Sequence, residues 1–287
     1  MKFATIFIIL FISFYQNIFS VEILPYSEFG KQKELSEAKL FAKNDIKQKN
    51  TYRSDPRPDK DGNIDKWLIS REYFDENGKL LKFESISDNN NVVVYSEFKY
   101  NEEGLISKII EKDAFHTLIQ NQTFTYDAFS RIAKIVAIGF NDALLQTTLY
   151  EYNEEKGIAI ETVKDSLNSV NNYSVYLYDK PFNRIIKSTL YNKENQIDGT
   201  KVIHYNDYGI NSREIYQKDI DQPFTMKYQN IFNEKKLLSE VQNITYPNNL
   251  VVSVFNEYND DELIISTNMF DKSKNPITTI SFEYVTE

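Results

Sequence analysis

The chain has 287 residues, 41% hydrophobic and 14% aromatic, with 20 Tyr and 20 Phe against only 8 Gly and 7 Pro. Its formal charge of −9 opposes binding to nucleic acid, which rests on neutralising phosphates with Lys and Arg. The absence of Cys excludes disulfides, thiolate catalysis, Cys-ligated zinc and the lipid-bearing Cys of a lipoprotein.

The N-terminus has the anatomy of a signal peptide over residues 1–20. Lys2 supplies a positive start, Phe3 to Tyr15 is almost wholly apolar, Gln16-Asn17 breaks the run, and Ser20 is a small residue before a cleavage point. The apolar run is too short to span a bilayer comfortably, and no later segment approaches a transmembrane helix. The expectation is an exported protein that is secreted, periplasmic or at the cell surface. Residues 21–65 differ in character. Leu35, Ala38, Leu40, Phe41 and Ala42 make a weak apolar stripe at helical spacing, which predicts one helix, packed as a cap on the open end of the downstream repeats. Arg53 to Asp65, with Pro56, Pro58 and Asp61-Gly62, predicts a loop.

From residue 66 to 287 the chain repeats. An aromatic residue followed by Asp or Asn recurs at Phe74, Tyr100, Tyr126, Tyr152, Tyr178, Tyr205, Phe232 and Tyr258, and one further step reaches Tyr284. The spacing is 26 or 27 residues throughout. Turn residues follow each anchor, as in Glu76-Asn77-Gly78, and a second polar cluster lies midway, as in Asp88-Asn89-Asn90-Asn91. Asn, Asp and Gly suit such turns because they tolerate left-handed backbone and bond their own chain. Two strands and two short turns fill each unit, and connections this short permit only antiparallel neighbours. The reading is all-β: an antiparallel meander of about 16–18 strands built from hairpin repeats. An open sheet of that size is unusual, so it should curl into a spiral, a fold-over or a barrel. The anchor face also carries Phe98, Phe124, Tyr150 and Tyr176, whereas Glu97, Lys99, Thr123 and Thr125 lie on a wetter opposite face.

Phe74-Asp75-Glu76-Asn77-Gly78-Lys79-Leu80, Tyr100-Asn101-Glu102-Glu103-Gly104 and Tyr126-Asp127 through Arg131-Ile132 resemble the YD repeat of bacterial RHS-type proteins. The resemblance covers residues 66–287. It departs in its longer period, its short array and the lack of a toxin or self-cleaving segment after Tyr284. It implies hairpin repeats in an exported interaction protein, not toxin delivery, and it supplies no catalytic residues.

No constellation points to chemistry. His116 and His204 fall in different units, without HxH or HExxH spacing, so neither reads as a ligand or catalyst. Asp59, Asp61 and Asp65 alternate like a calcium loop. In the EF-hand register, however, Arg57 and Leu68 occupy the first and last ligand positions, so a solvated turn is the better reading. No cofactor is expected. The leading expectation is a non-enzymatic exported repeat scaffold or binding protein for an unknown protein or carbohydrate. An outer-membrane β-barrel is the alternative, opposed by Gln120, Gln122, Asn230 and Asn256 on the anchor face, where lipid would demand apolar groups. A secreted hydrolase using edge carboxylates such as Glu102-Glu103, Glu154-Glu155 or Asp260-Asp261 is a third reading without positive support.

Overall fold

The computed structural model describes residues 24–55, 64–180, 182–206, 211–218, 224–247 and 249–286. The signal segment and the calcium candidates Asp59 and Asp61 lie outside these residues, and Asp65 is exposed. The described residues open with helix α1 (Glu28–Lys43), then β1 (Gln48–Ser54), β2 (Lys66–Phe74), β3 (Leu80–Ile86), β4 (Val92–Tyr100), β5 (Ile106–Asp113) and β6 (Leu118–Tyr126). It continues with β7 (Ile132–Gly139), β8 (Leu144–Asn153), β9 (Ile158–Asp165), β10 (Val170–Tyr178), β11 (Ile185–Asn192) and β12 (Ile197–Tyr205). The last six are β13 (Asn211–Gln217), β14 (Met226–Phe232), β15 (Leu238–Thr245), β16 (Asn249–Tyr258), β17 (Ile264–Asp271) and β18 (Pro276–Val285).

Each repeat is a hairpin closed by the Asp or Asn that follows the anchor. The Asp75 carboxylate accepts from the backbone N–H of Asn77 and Lys79 at 2.9 and 2.8 Å. Asp127 does the same for Phe129 and Arg131, and Asn101, Asn233 and Asn259 each take one such bond. The fourth residue of the turn takes positive φ, with Gly78 at 75° and Gly104 at 77°. Most anchors coincide with a register shift in the ladder, as between Lys99 and Tyr100 or Glu257 and Tyr258. Such bulges add local twist, and a sheet that twists at every second strand curls.

The curl closes. All 18 strands form one antiparallel sheet in which every strand pairs with its neighbours in sequence, and β1 pairs with both β2 and β18. The fold is therefore a closed 18-stranded barrel, the last of the three expected shapes, and closure removes the sheet edges altogether. Two expectations for residues 21–65 are corrected by this. Where only a helix and a loop were expected there is also a strand, Gln48–Ser54, which overlaps the predicted loop at Arg53 and Ser54 and is the stave that seals the barrel. The helix consequently caps no sheet edge, because none exists.

Neighbouring strands keep the alternation of faces in register, so all nine anchors project from the same face at the same end of the barrel. The helix contacts that face, which makes it the inner one. The wall is a single layer: among the described residues the largest side chains fully withdrawn from solvent are Thr51, Pro25 and Ser70, and the most buried aromatics, Tyr95 and Tyr178, keep 5% of their surface exposed. A solid core of this size would bury whole aromatic and aliphatic side chains. Instead the apolar clusters follow the wall, as in Phe98, Ile109, Phe124, Ile135 and Tyr150 across β4 to β8.

Candidate functional site

The anchor tyrosines form a latch that repeats around one mouth of the barrel. The hydroxyls of Tyr100, Tyr126, Tyr152, Tyr205, Tyr258 and Tyr284 each donate to the carbonyl 20 residues upstream, at 2.6–3.0 Å. Burial pushes the phenols of Tyr100, Tyr126, Tyr152 and Tyr205 up to about 12, so they remain donors at any physiological pH. Three anchors depart from the pattern: Phe232 has no hydroxyl, and the other two, Tyr178 and Phe74, hold the helix. Tyr178 donates to the Tyr26 carbonyl at 2.9 Å, and the Tyr152 oxygen also accepts from the Tyr26 N–H at 3.1 Å. Phe74, which has no hydroxyl, packs against Phe41 with ring centroids 4.7 Å apart.

These contacts tie α1 at both ends. Ser27 caps its N-terminus by accepting from Gly30 N–H at 3.0 Å, which satisfies one of the orphan donors of the first turn. Arg131 lies under that end, over the rings of Tyr152 and Phe182 at 4.5 and 4.9 Å. At the other end Phe41 and Ile46 are buried against Phe74 and Leu263. Strands β8 and β10 lie across the ring of 18 staves from β2 and β18, so the helix crosses the mouth. Its 16 residues span about 24 Å. Lys31 through Glu37 are all exposed between the two attachments. The helix is thus a bar over an open mouth, not a stopper. Glu34, midway along it, is solvent-exposed but surrounded by protein. Its carboxyl is pushed up, chiefly by withdrawal from bulk water and secondarily by Glu37.

Beneath the bar the inner wall turns from aromatic to polar. A cavity of about 170 Å³ opens on β6 to β9, lined by Gln122, Ile135, Ala137, Gln146, Thr148, Tyr150 and Glu161. Both oxygens of Glu161 are held: Tyr150 donates to one at 2.9 Å and Tyr176 to the other at 2.6 Å. Elsewhere on the inner wall Lys201 pairs with Glu214 at 3.0 Å, and Lys49 with Glu72 at 2.8 Å. Gln120, Gln122, Asn230 and Asn256 all lie on this inward face, where polar groups meet water, so the sequence-based objection they raised against a barrel does not hold.

The outer wall mixes charged groups with exposed apolar ones such as Val93, Ile119, Leu177 and Phe255. One cross-strand row reads Arg71, Glu84, Tyr95, Lys112, with Lys82 and Arg71 paired to Glu84 at 2.7 and 3.4 Å. Another on the opposite side reads Arg213, Gln229, Gln242, Ser253. The turns at the far end carry exposed Phe115, Phe140 and Leu167. His116 sits in one of these turns against Tyr95, and His204 lies on the outer wall beside Arg213, so the two histidines are not brought together. The carboxylate pairs of the turns are likewise kept apart, on separate hairpins. Among the described residues no three metal-ligating groups converge. The helix bar and the Glu161 cavity escaped sequence reasoning. The only available signal for the cavity was the run of polar residues on the anchor face.

No family model matches the chain, and no curated protein matches it either. Among solved structures it is similar to a porin-like protein from Bacteroides uniformis, at 7% identity and a TM-score of 0.43, covering 84% of this chain and 98% of that one. A porin-like protein from Bacteroides vulgatus gives 12% identity and a TM-score of 0.37 over 82% and 97% of the two chains. A TcdB2-TccC3-Cdc42 structure matches at 12% identity and a TM-score of 0.31. It covers 77% of this chain, which spans only 14% of that much longer one. Similarity this shallow carries no statement about activity.

Proposed function

We propose that the protein is a barrel of the bacterial cell envelope that works through its lumen, standing in water and holding a small solute inside the barred vessel. The observation that carries this is the presence of charged groups on both faces of a one-layer wall, so that neither face offers an unbroken apolar band. A barrel in lipid needs an apolar outer band about 25 Å tall, and charges at mid-wall such as Arg71, Glu84 and Arg213 oppose it. Strands β1, β3, β13 and β14 have only seven residues, short of the roughly 9–11 that cross a bilayer. The polar inner wall, in turn, fits a water-filled interior. Closure replaces the extended repeat surface with an enclosed one, so recognition moves from the repeat edge to the lumen, and the role is binding, not turnover. The likeness to YD repeats rests on shared turn chemistry, the aromatic latch followed by a turn-closing Asx.

A second reading is favoured by one specific feature. An even number of antiparallel strands closed around a polar lumen is the architecture of outer-membrane conduits. Fractionation with and without detergent, together with a heat-modifiability gel, separates the two. Recovery of folded protein from the detergent-free soluble fraction supports the aqueous vessel. Recovery only in detergent, with a heat-dependent mobility shift, supports the membrane barrel.

A further inference from the structure

The cavity beside Glu161 has a composition that selects the sign of its guest. Its polar lining consists of two primary amides, Gln122 and Gln146, two hydroxyls, Thr148 and Tyr150, and one carboxylate. Ile135 and Ala137 supply an apolar floor. The Gln146 amide N–H donates to the Thr148 hydroxyl at 3.2 Å, so its carbonyl oxygen is not used in that bond.

The wall around the cavity sorts its charges by face. Register along β4 to β11 places Lys99, Lys108, Lys112, Lys134, Lys164 and Lys187 outward, and among the described residues no Lys or Arg of these strands points in. Glu161 and Glu111 point in. Glu111 takes a hydrogen bond from Gln120 at 2.6 Å, and Glu161 takes two from tyrosine hydroxyls. These partners are neutral hydroxyl and amide donors, so they bring no positive charge to the carboxylates. The charged pairs Lys201–Glu214 and Lys49–Glu72 elsewhere on the inner wall are neutral by contrast. The inward Arg131 at the mouth is balanced by Asp127 and Glu154 at 2.7 and 3.4 Å, so this concave wall is net negative, which focuses the field and concentrates ions of the opposite sign.

We propose that this cavity binds the ammonium group of a small alkylamine, with Glu161 as its counter-ion, the Gln146 carbonyl and Thr148 hydroxyl as further acceptors, and the alkyl body on Ile135 and Ala137. A bare metal cation fits less well, because a single carboxylate already occupied by two hydroxyl donors leaves few free oxygen ligands. The inference rests on the lumen being the working compartment.

The test is calorimetric titration of the purified full chain with butylammonium and 1,4-diaminobutane. 1-Butanol, glucose and calcium chloride serve as controls. Saturable amine binding that weakens with salt is expected, with little or none for the controls. Glu161→Gln should weaken it at least about 10-fold, equivalent to ~1.4 kcal/mol. Ala137→Leu, which fills the cavity floor, should abolish it, and Glu151→Gln on the outer wall should leave it unchanged. Because Ala137→Leu leaves the Tyr–Glu–Tyr bonding intact, it decides the matter even if Glu161→Gln does not fold. Equal affinity in Glu161→Gln, binding of butanol as tight as of the amine, calcium binding in place of amine, or no amine binding by natively folded protein would each overturn the proposal. The fractionation result is independent. Membrane-extracted protein that binds amine would keep this site and sink the aqueous reading, whereas soluble protein that binds none would do the reverse.

Discussion

Replacing Tyr126 with Phe removes one oxygen and nothing else, so it isolates the latch that repeats around the mouth. The Tyr126 hydroxyl donates to the Ile106 carbonyl at 2.6 Å, and the ring packs with the apolar cluster of β4 to β8. Phe keeps that packing and leaves no cavity. The loss is then the net worth of a neutral hydrogen bond, about 0.5–1.5 kcal/mol. It should fall toward the upper half of that range, because the site is withdrawn from water and the carbonyl loses its partner. Tyr258 makes the same bond to Leu238 at 3.0 Å on a distant stave. Tyr126→Phe combined with Tyr258→Phe should therefore be additive, totalling about 2 kcal/mol with a deviation under ~0.5. Urea unfolding followed by far-ultraviolet circular dichroism measures this as a fall in midpoint at constant slope. A midpoint unchanged by either single replacement would refute the latch as a stabilising element. A changed slope would mean that the barrel does not unfold as one unit.

Gly78→Ala and Gly104→Ala both strain a left-handed turn, which costs an ordinary residue roughly 1–2 kcal/mol. A Cβ on Gly78 would also stand 2.0 Å from the Ala38 carbonyl oxygen of the helix, whereas on Gly104 it meets the mobile end of Lys79. Limited proteolysis should accordingly cut the helix faster in Gly78→Ala and at the native rate in Gly104→Ala. Thr51→Val at the barrel seam removes a buried hydroxyl without a hydrogen-bond partner among the described residues, and should raise stability by about 1 kcal/mol in the urea assay. The Glu34 carboxyl is raised, so its ionised form is penalised in the folded protein. That penalty is absent below its ordinary value and grows as pH rises through the folded one. Glu34→Gln should therefore slow hydrogen exchange in the helix at neutral pH and have no effect in acid. Burial works to raise Asp127, but the Arg131 N–H and guanidinium and the Phe129 N–H outweigh it and hold the carboxyl below its ordinary range. Its stabilisation is present above the unfolded value and lost as pH falls through the depressed one. Asp127→Asn should thus lower the urea midpoint at neutral pH and converge with the parent in strong acid.

The repeat was legible because its causes are local. The aromatic fits a half-buried strand end, the Asx closes the turn, and the left-handed position selects Gly, as in Gly78 and Gly104. Closure was not legible. It depends on Gln48–Ser54 pairing with both ends of the array, and that strand, with Thr51 and Tyr52 among Gln, Lys, Asn, Arg and Ser, carries almost no apolar alternation. Which face would be concave was equally hidden. Period-two patterning separates two faces, yet Phe98 and Gln122 share one face while Val136 and Lys134 share the other, so neither is plainly the lipid or core side. The helix was foreseen from Leu40 and Phe41, but its place across the mouth is set by Tyr26, Tyr152 and Tyr178, which are 126 to 152 residues apart where they bond. The cavity arises from that geometry too, since Glu161 and Gln146 are ordinary strand residues until the sheet closes around them.

The claim that both faces of the wall meet water, one of them enclosed, can be tested on a chain that has no cysteine of its own. Single cysteines at Gln229 on the outer wall and Gln146 on the lumen wall, both exposed, can be treated with a small charged maleimide and with a bulky polymer-linked one, without detergent. Gln229→Cys should react promptly with both reagents, and Gln146→Cys promptly with the small one but slowly with the large. An outer cysteine that reacts only after detergent is added, or a lumen cysteine equally open to the bulky reagent, would contradict a closed barrel standing in water.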